Sequence, residues 1–122
     1  MIDKKAIKEE FKKYVPEKGI FMIKNISSGR VFLGGSMNMH EILKKHKFML
    51  DLNSHRNQAL QDDYNKYGAD DFEFSILELL NLKDEIDYNY EEDLQILEML
   101  WVDKFQPIKE NLYNKNEKIR TH

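Results

Sequence analysis

The sequence predicts an α+β domain in which a β-hairpin and a third strand form a small antiparallel sheet flanked by helices. Two runs rich in β-branched and aromatic residues, GIFMIKN and VFLGGS, are joined by the turn ISSGR, which is typical of a hairpin. A later run, FEFSILELL, alternates apolar and polar residues at first, as a half-buried strand does. Segments with helical spacing surround these runs, so the predicted order is α, β-hairpin, α, α, β, α.

The N-terminal part is predicted to form an amphipathic helix over residues 3–15 that ends at Pro16. The apolar side chains of this helix fall on one stripe, formed by Ala6, Ile7, Phe11, Tyr14 and Val15. The hairpin follows, and Gly34 and Gly35 close its second strand.

Two more helices are predicted between the hairpin and the third strand. The first follows Asn38, a suitable N-cap, and ends at residues 52–54. The second runs from about His55 to Tyr67 and is followed by Gly68, a typical residue just past a helix end. Apolar spacing places Ile42, Leu43, His46, Met49, Leu50, Leu60, Tyr64 and Tyr67 on the inner faces.

The C-terminal part is predicted to contain one more helix. The third strand covers residues 72–80, and the acidic stretch over residues 83–93 is interpreted as a loop. The helix after this loop stops near Pro107 and is followed by a polar tail. Its apolar residues are Leu94, Leu97, Trp101, Val102 and Phe105.

The composition indicates one globular domain and excludes several functional classes. The chain has 122 residues, of which 41% are hydrophobic and 34% are charged, enough for a single core with a well-solvated surface. It has no cysteine, which excludes disulfides, thiolate catalysis and sulfur-bound zinc. No apolar run approaches the roughly 20 residues that span a bilayer, and the N-terminus lacks the apolar core of a secretory signal. A cytoplasmic protein without a membrane partner is therefore expected.

The charge is distributed unevenly, although the formal net charge is only −3. Residues 1–60 carry 12 basic and 6 acidic side chains, whereas residues 61–107 carry 3 basic and 14 acidic ones. Such an asymmetry is compatible with an anion-binding surface opposite an acidic one. The alternative, which the charge pattern alone favours, is two solvated surfaces that partly neutralise each other, because a run of lysines usually faces water.

Three polar residues lie where a simple core would not require them. His46 shares a helix face with Ile42, and its alternative is a satisfied, half-buried histidine. His55 opens the next helix, and its alternative is a simple helix-start residue near Ser54. Glu98 lies within the apolar run LQILEMLWV, where a buried carboxylate would need a partner or a metal ion. Its alternative is an outward-facing position on an amphipathic helix. Arg30, Asn57 and Asn114 are weaker candidates.

The hairpin and the residues after it resemble the GIY-YIG nuclease superfamily. The family's two signature triplets correspond to Gly19-Ile20-Phe21 and to Phe32-Leu33-Gly34. HKFMLDLNSHRNQALQDDYNKYGADDFEFSILE is similar to the family's two helices and third strand, LEMLWVDKFQP to its metal-binding helix, and Tyr113-Asn114 to its closing Tyr-Asn. The resemblance implies a family domain over residues 18–114, with a helical extension over 1–17 and a tail over 115–122.

The resemblance also implies functional roles. In the family, a DNA phosphodiester is hydrolysed with one divalent metal ion, so Mg²⁺ or Mn²⁺ is expected at Glu98. His46, His55 and Asn114 correspond to catalytic positions. Arg30, Lys44, Lys45, Arg56 and Asn57 are the expected nucleic-acid contacts, and the protein is expected to be a monomer with DNA, or alternatively a protein, as its partner.

Three positions depart from the family pattern. The two hairpin tyrosines are replaced by Phe21 and Phe32, which cannot relay a proton, and the phosphate-binding arginine is replaced by Ile42. The loss of one charge-stabilising donor typically costs roughly 100- to 1,000-fold in rate. Lys44 and Lys45 are candidate replacements for the arginine, and His46 for the base.

Two functions follow from the sequence. The first is a metal-dependent DNA endonuclease with a degenerate or rewired site, and the second is a non-catalytic module that binds nucleic acid or a protein. Lysines 44 and 45 that point away from Glu98 would favour the second.

Overall fold

A three-stranded antiparallel sheet lies at the centre of the computed structural model, which describes residues 3, 5–7, 15–85, 87–105 and 112–114. Strand β1 pairs with both neighbours, so the strand order is β2-β1-β3. The strands are β1 (Gly19–Asn25), β2 (Val31–Ser36) and β3 (Phe72–Leu79). The α+β prediction is therefore confirmed, including the hairpin and the third strand.

Three helices flank the sheet: α1 (Met39–Asp51), α2 (Gln58–Tyr67) and α3 (Glu91–Phe105). Asn38 is the N-cap of α1, because its side-chain oxygen accepts a hydrogen bond from the Glu41 N–H at 3.2 Å. Gly68 follows α2 with φ of 91°, a conformation that favours glycine. A short 3₁₀ turn, Ala69–Asp71, connects it to β3.

Two predicted helix starts were wrong. Helix α2 begins at Gln58 rather than near His55, because Asn57 caps it by accepting from the Leu60 N–H at 3.0 Å. Helix α3 begins at Glu91, inside the stretch that was interpreted as a loop. Acidic residues in a first helical turn are favoured by the helix dipole, so the acidity of this stretch is compatible with a helix start.

The predicted N-terminal helix lies mostly outside the described residues. Residues 5–7 are helical, and the Lys5 N–H donates to Asp3 Oδ1 at 3.0 Å, as at a helix start. The tail over residues 115–122 also lies outside the described ranges.

The sheet separates two layers of core. On one side, Phe21, Ile23 and Phe32 pack against α1 and α2. On the other side, Ile20 packs against Leu94 and Leu97 of α3. Within the described ranges, no helix is long and apolar enough to cross a membrane.

Candidate functional site

Two buried histidines lie against the aromatic rings of the hairpin. The ring centroid of His46 lies 5.1 Å from that of Phe21 and 5.4 Å from that of Phe32. His55 meets the Phe32 ring edge-on at 5.5 Å. Helix α1 therefore places His46 on its inner face, as the sequence spacing predicted, and the rings of positions 21 and 32 form the wall of a buried aromatic cluster.

The two histidines form a hydrogen-bonded pair with a defined direction. His46 Nδ1 and His55 Nε2 are 2.7 Å apart, and the backbone N–H of Asn57 donates to His55 Nδ1 at 3.0 Å. A backbone N–H can only donate, so neutral His55 carries its proton on Nε2 and donates it to His46 Nδ1. Neutral His46 then carries its own proton on Nε2.

Burial keeps His55 uncharged. It lowers the pKa of His55 from 6.5 to about 4. His55 is therefore a neutral donor near pH 7 and orients the ring of His46.

Glu98 is buried and packs against strand β2. Its carboxylate occupies the space that a side chain at Gly35 would need, because a Cβ atom built there would overlap the Glu98 carboxylate. A Cβ atom at the preceding Gly34 would overlap the Phe21 ring instead. The two glycines thus admit Phe21 on one side of β2 and Glu98 on the other, and only 7% of the Glu98 surface is exposed.

The comparison with solved structures agrees with this geometry, although no family model matches the sequence. The catalytic domain of the homing endonuclease I-TevI has a TM-score of 0.64 at 28% identity, covering 79% of this chain and 95% of that one. A mutant of the catalytic domain of the intron endonuclease I-TevI has a TM-score of 0.66 at 29% identity, covering 84% and 96%. The fold is that of a GIY-YIG endonuclease domain, and the resemblance to the GIY-YIG superfamily is confirmed.

The three positions that depart from the GIY-YIG pattern are buried and apolar. Phe21, Phe32 and Ile42 belong to one core cluster together with Tyr113. Their side chains carry no hydroxyl, amine or guanidinium group, so these three positions provide neither a proton acceptor nor a cation.

The lysines that could replace the lost arginine lie on the solvent side of α1. Lys44 and Lys45 are exposed, whereas Ile42 and His46 on the inner face of the same helix are buried. Helix α1 and Glu98 also pack on opposite sides of the sheet. Arg56 is likewise exposed, in the segment between α1 and α2.

Asn114 holds the described C-terminal segment onto β2. Its side-chain oxygen accepts from the Leu33 N–H, and its amide group donates to the Leu33 carbonyl, both at 2.9 Å. Both polar atoms of the side chain are therefore bound to backbone, which is a structural arrangement.

Asn57 and Arg30 also have partners within the fold. Asn57 caps α2 and donates from Nδ2 to the Tyr113 carbonyl at 2.8 Å. Arg30 pairs with Asp63 at 3.2 Å and lies over the Tyr113 ring, 4.2 Å from its centroid. These contacts orient both side chains toward the C-terminal segment.

Two residues of the site were missed by sequence reasoning. Gln61 is buried. It accepts from the His55 N–H at 3.0 Å and donates to the Leu50 carbonyl at 3.0 Å, so it links the backbone of His55 to the end of α1. In the sequence, the only indication of this role was that polar Gln61 directly follows the inward-facing Leu60. Gly35 was assigned only to a strand end, although two adjacent glycines indicate a close approach of another group.

The donor set is compatible with one hard divalent cation at Glu98. Mg²⁺ and Mn²⁺ prefer oxygen ligands, and Mg²⁺ is commonly held by one or two carboxylates with water and phosphate oxygens. Among the described residues, no group of three or more His, Cys, Asp or Glu side chains could hold a metal ion. A cation held by Glu98 would therefore take most of its remaining ligands from water and substrate.

Proposed function

We propose that this domain binds DNA on a GIY-YIG scaffold whose capacity to cleave phosphodiesters has largely been lost. The observation that carries the proposal is the packing of Phe21, Phe32 and Ile42 into one apolar cluster. These are the positions at which the family resemblance implies two hydroxyls and one cation.

The expected loss of rate is large. General-base catalysis contributes typically 10²- to 10⁴-fold, and one charge-stabilising donor contributes about 10²- to 10³-fold. If the two losses were independent, they would together slow cleavage by roughly 10⁴- to 10⁷-fold.

The histidine pair does not replace the missing base. A general base needs a free lone pair, but Nδ1 of His46 accepts from His55 and its Nε2 carries the proton. His46 is only 4% exposed and contributes to the packing of the aromatic cluster.

DNA is the ligand favoured by the similarity to endonuclease domains and by the positive charge of the first 60 residues. The similar solved structures are endonuclease domains, and the first 60 residues of this chain carry a net charge of +6. Lys44, Lys45 and Arg56 are exposed within that half. Cationic side chains of this kind bind phosphates and release counterions.

The salt dependence of DNA binding tests this proposal. The logarithm of the association constant should fall linearly with the logarithm of salt concentration, and the double variant Lys44→Gln/Lys45→Gln should reduce that slope by up to about 2. Fluorescence anisotropy with a labelled duplex measures both quantities. The matched control is Lys83→Gln/Lys104→Gln, which removes two exposed lysines from the acidic half. Failure to bind any DNA, or binding that does not change with salt, would refute the proposal and leave a protein partner as the alternative.

A metal-dependent endonuclease is the second candidate, and the buried carboxylate of Glu98 favours it. A cation bound there would act as a Lewis acid on the scissile phosphate. Gly35 would leave room for the carboxylate. DNA nicking by the wild type that disappears in Glu98→Gln would establish this candidate.

A further inference from the structure

The outer face of α1 exposes a phenyl ring that the fold does not use. The side chain of Phe48 is 64% exposed and that of Leu52, just past the helix end, is 59% exposed. Residues four apart lie one above the other on a helix, so Lys44, Phe48 and Leu52 follow one line. The buried residues of α1, including Ile42 and His46, lie on the opposite face. The phenyl ring and the Leu52 side chain thus place apolar surface on the solvent side of α1.

Exposed cations surround this ring. Lys44 lies one turn before Phe48, and Lys45 lies three residues before it, so both lysines share its side of the helix. The acidic residue at the end of α1 is already engaged, since Asp51 accepts from the Tyr64 hydroxyl and pairs with Lys47 at 3.5 Å. Glu41 is the acidic residue at the N-terminal end of this surface. Between Glu41 and Asp51, the exposed charged side chains beside the Phe48 ring are lysines.

We propose that this surface, formed by Lys44, Lys45, Phe48 and Leu52, binds single-stranded or locally unpaired nucleic acid. The phenyl ring would stack on one base while the lysines contact the neighbouring phosphates. This combination of a cationic track and an aromatic platform is how single strands are bound without sequence preference. Bases within a duplex are stacked on each other and cannot reach an exposed ring.

The proposal rests on the proposed function and adds a location and a substrate class to it. Helix α1 and Glu98 lie on opposite sides of the sheet, and Phe48 faces away from the sheet altogether. A strand bound on this surface therefore lies apart from the carboxylate. Binding here needs no chemistry at Glu98.

The test compares a labelled single strand with the duplex of the same sequence, using fluorescence anisotropy and purified full-length protein. Stacking on an aromatic side chain contributes about 1–3 kcal/mol, or roughly 5- to 150-fold in affinity. Phe48→Leu is expected to weaken single-strand binding about tenfold and duplex binding less than twofold, while Phe48→Tyr restores the single-strand affinity. Met99→Ala is the matched control, because Met99 is 66% exposed on α3. In parallel, a strand that contains 2-aminopurine should change its fluorescence with the wild type and not with Phe48→Leu.

Three outcomes would overturn the inference. Equal single-strand affinity of the wild type and Phe48→Leu would show that the ring makes no contact, while duplex binding by Lys44 and Lys45 would still support the proposed function. Equal losses on both DNA forms would indicate a general effect rather than stacking. A concentration-dependent mass in light scattering that Phe48→Leu abolishes, without any change in DNA binding, would identify the surface as a contact between two copies of the chain.

Discussion

At the scale of single residues, the histidine pair shows how a backbone contact determines the chemistry of a side chain. The Asn57 N–H fixes the proton of neutral His55 on Nε2, and this in turn makes His46 Nδ1 an acceptor. Neither consequence can be obtained from the sequence, because it depends on the distance between two side chains on different segments. The sequence identified both histidines as candidates but left their protonation open.

The buried state of His55 predicts a pH-dependent stability. Its folded-state pKa of about 4 lies below the ordinary 6.5, so the unfolded chain takes up this proton first as the pH falls. The contribution of neutral His55 to the free energy of unfolding is complete above pH 6.5 and decreases as the pH falls toward 4. Urea unfolding should show a loss of about 1–2 kcal/mol from this group between pH 6.5 and 5.

The variant His55→Gln isolates this effect. It should flatten the stability profile over the same interval, although its absolute stability is lower. His40→Gln, which removes an exposed histidine of α1, should keep the wild-type profile. Parallel profiles for the wild type and His55→Gln would contradict the assignment.

Gly35 is predicted to be coupled energetically to Glu98. An alanine at this position would overlap the carboxylate and should destabilise the fold by about 1–3 kcal/mol. In a Glu98→Ala background the same change should cost much less, since the overlapping atoms are absent. Gly34→Ala, which meets Phe21 instead, should cost the same in both backgrounds. Unfolding free energies from urea titrations complete both double-mutant cycles, and additive costs for Gly35→Ala and Glu98→Ala would refute the coupling.

At the scale of elements, local patterns predicted the helices and strands but not how they are tied together. The spacing of Ile42, His46 and Leu50 predicted the inner face of α1 correctly. The start of α2 was misplaced because Asn57 acts both as an N-cap and as a donor to Tyr113, 56 residues away. Asn114 makes a similar link to Leu33 over 81 residues. Links of this length leave no periodic signal in a sequence.

The link between α2 and the C-terminal segment predicts a graded loss of stability at Asn57. Asn57→Ala removes the cap and leaves the Tyr113 carbonyl without this donor, with an expected cost of about 2–3 kcal/mol. Asn57→Ser keeps an acceptor for the Leu60 N–H but is too short to donate to the Tyr113 carbonyl, so about half of that cost is expected. Thermal or urea unfolding measures the series. Equal stability of Asn57→Ala and the wild type would mean that the link contributes nothing.

At the scale of the whole molecule, the fold was predictable because the GIY-YIG motifs are spread in order along the chain. The site was only partly predictable. The departures from the family pattern at positions 21, 32 and 42 were visible as residue types, but their packing into one apolar cluster was not. The meeting of Gly35 with Glu98 joins residues on a strand and a distant helix. The exposure of Phe48 also depends on how α1 is oriented on the sheet.

The charge distribution has a structural counterpart at this scale. The exposed cations Lys44, Lys45 and Arg56 belong to the first half of the chain. Glu98 belongs to the acidic half, and its carboxylate packs against Gly35 of β2. The cations that could hold DNA are therefore separate from the carboxylate that could assist its cleavage. This separation is consistent with binding that does not lead to hydrolysis.

The central proposal is that this domain, with its GIY-YIG-like fold, binds DNA and leaves it intact. The most direct test incubates supercoiled plasmid with a saturating excess of protein in Mg²⁺ or Mn²⁺, and resolves bound and nicked DNA from the same samples. We expect shifted plasmid that is recovered uncut, with the wild type indistinguishable from Glu98→Gln. Nicked or linear DNA produced by the wild type and absent with Glu98→Gln would contradict the claim.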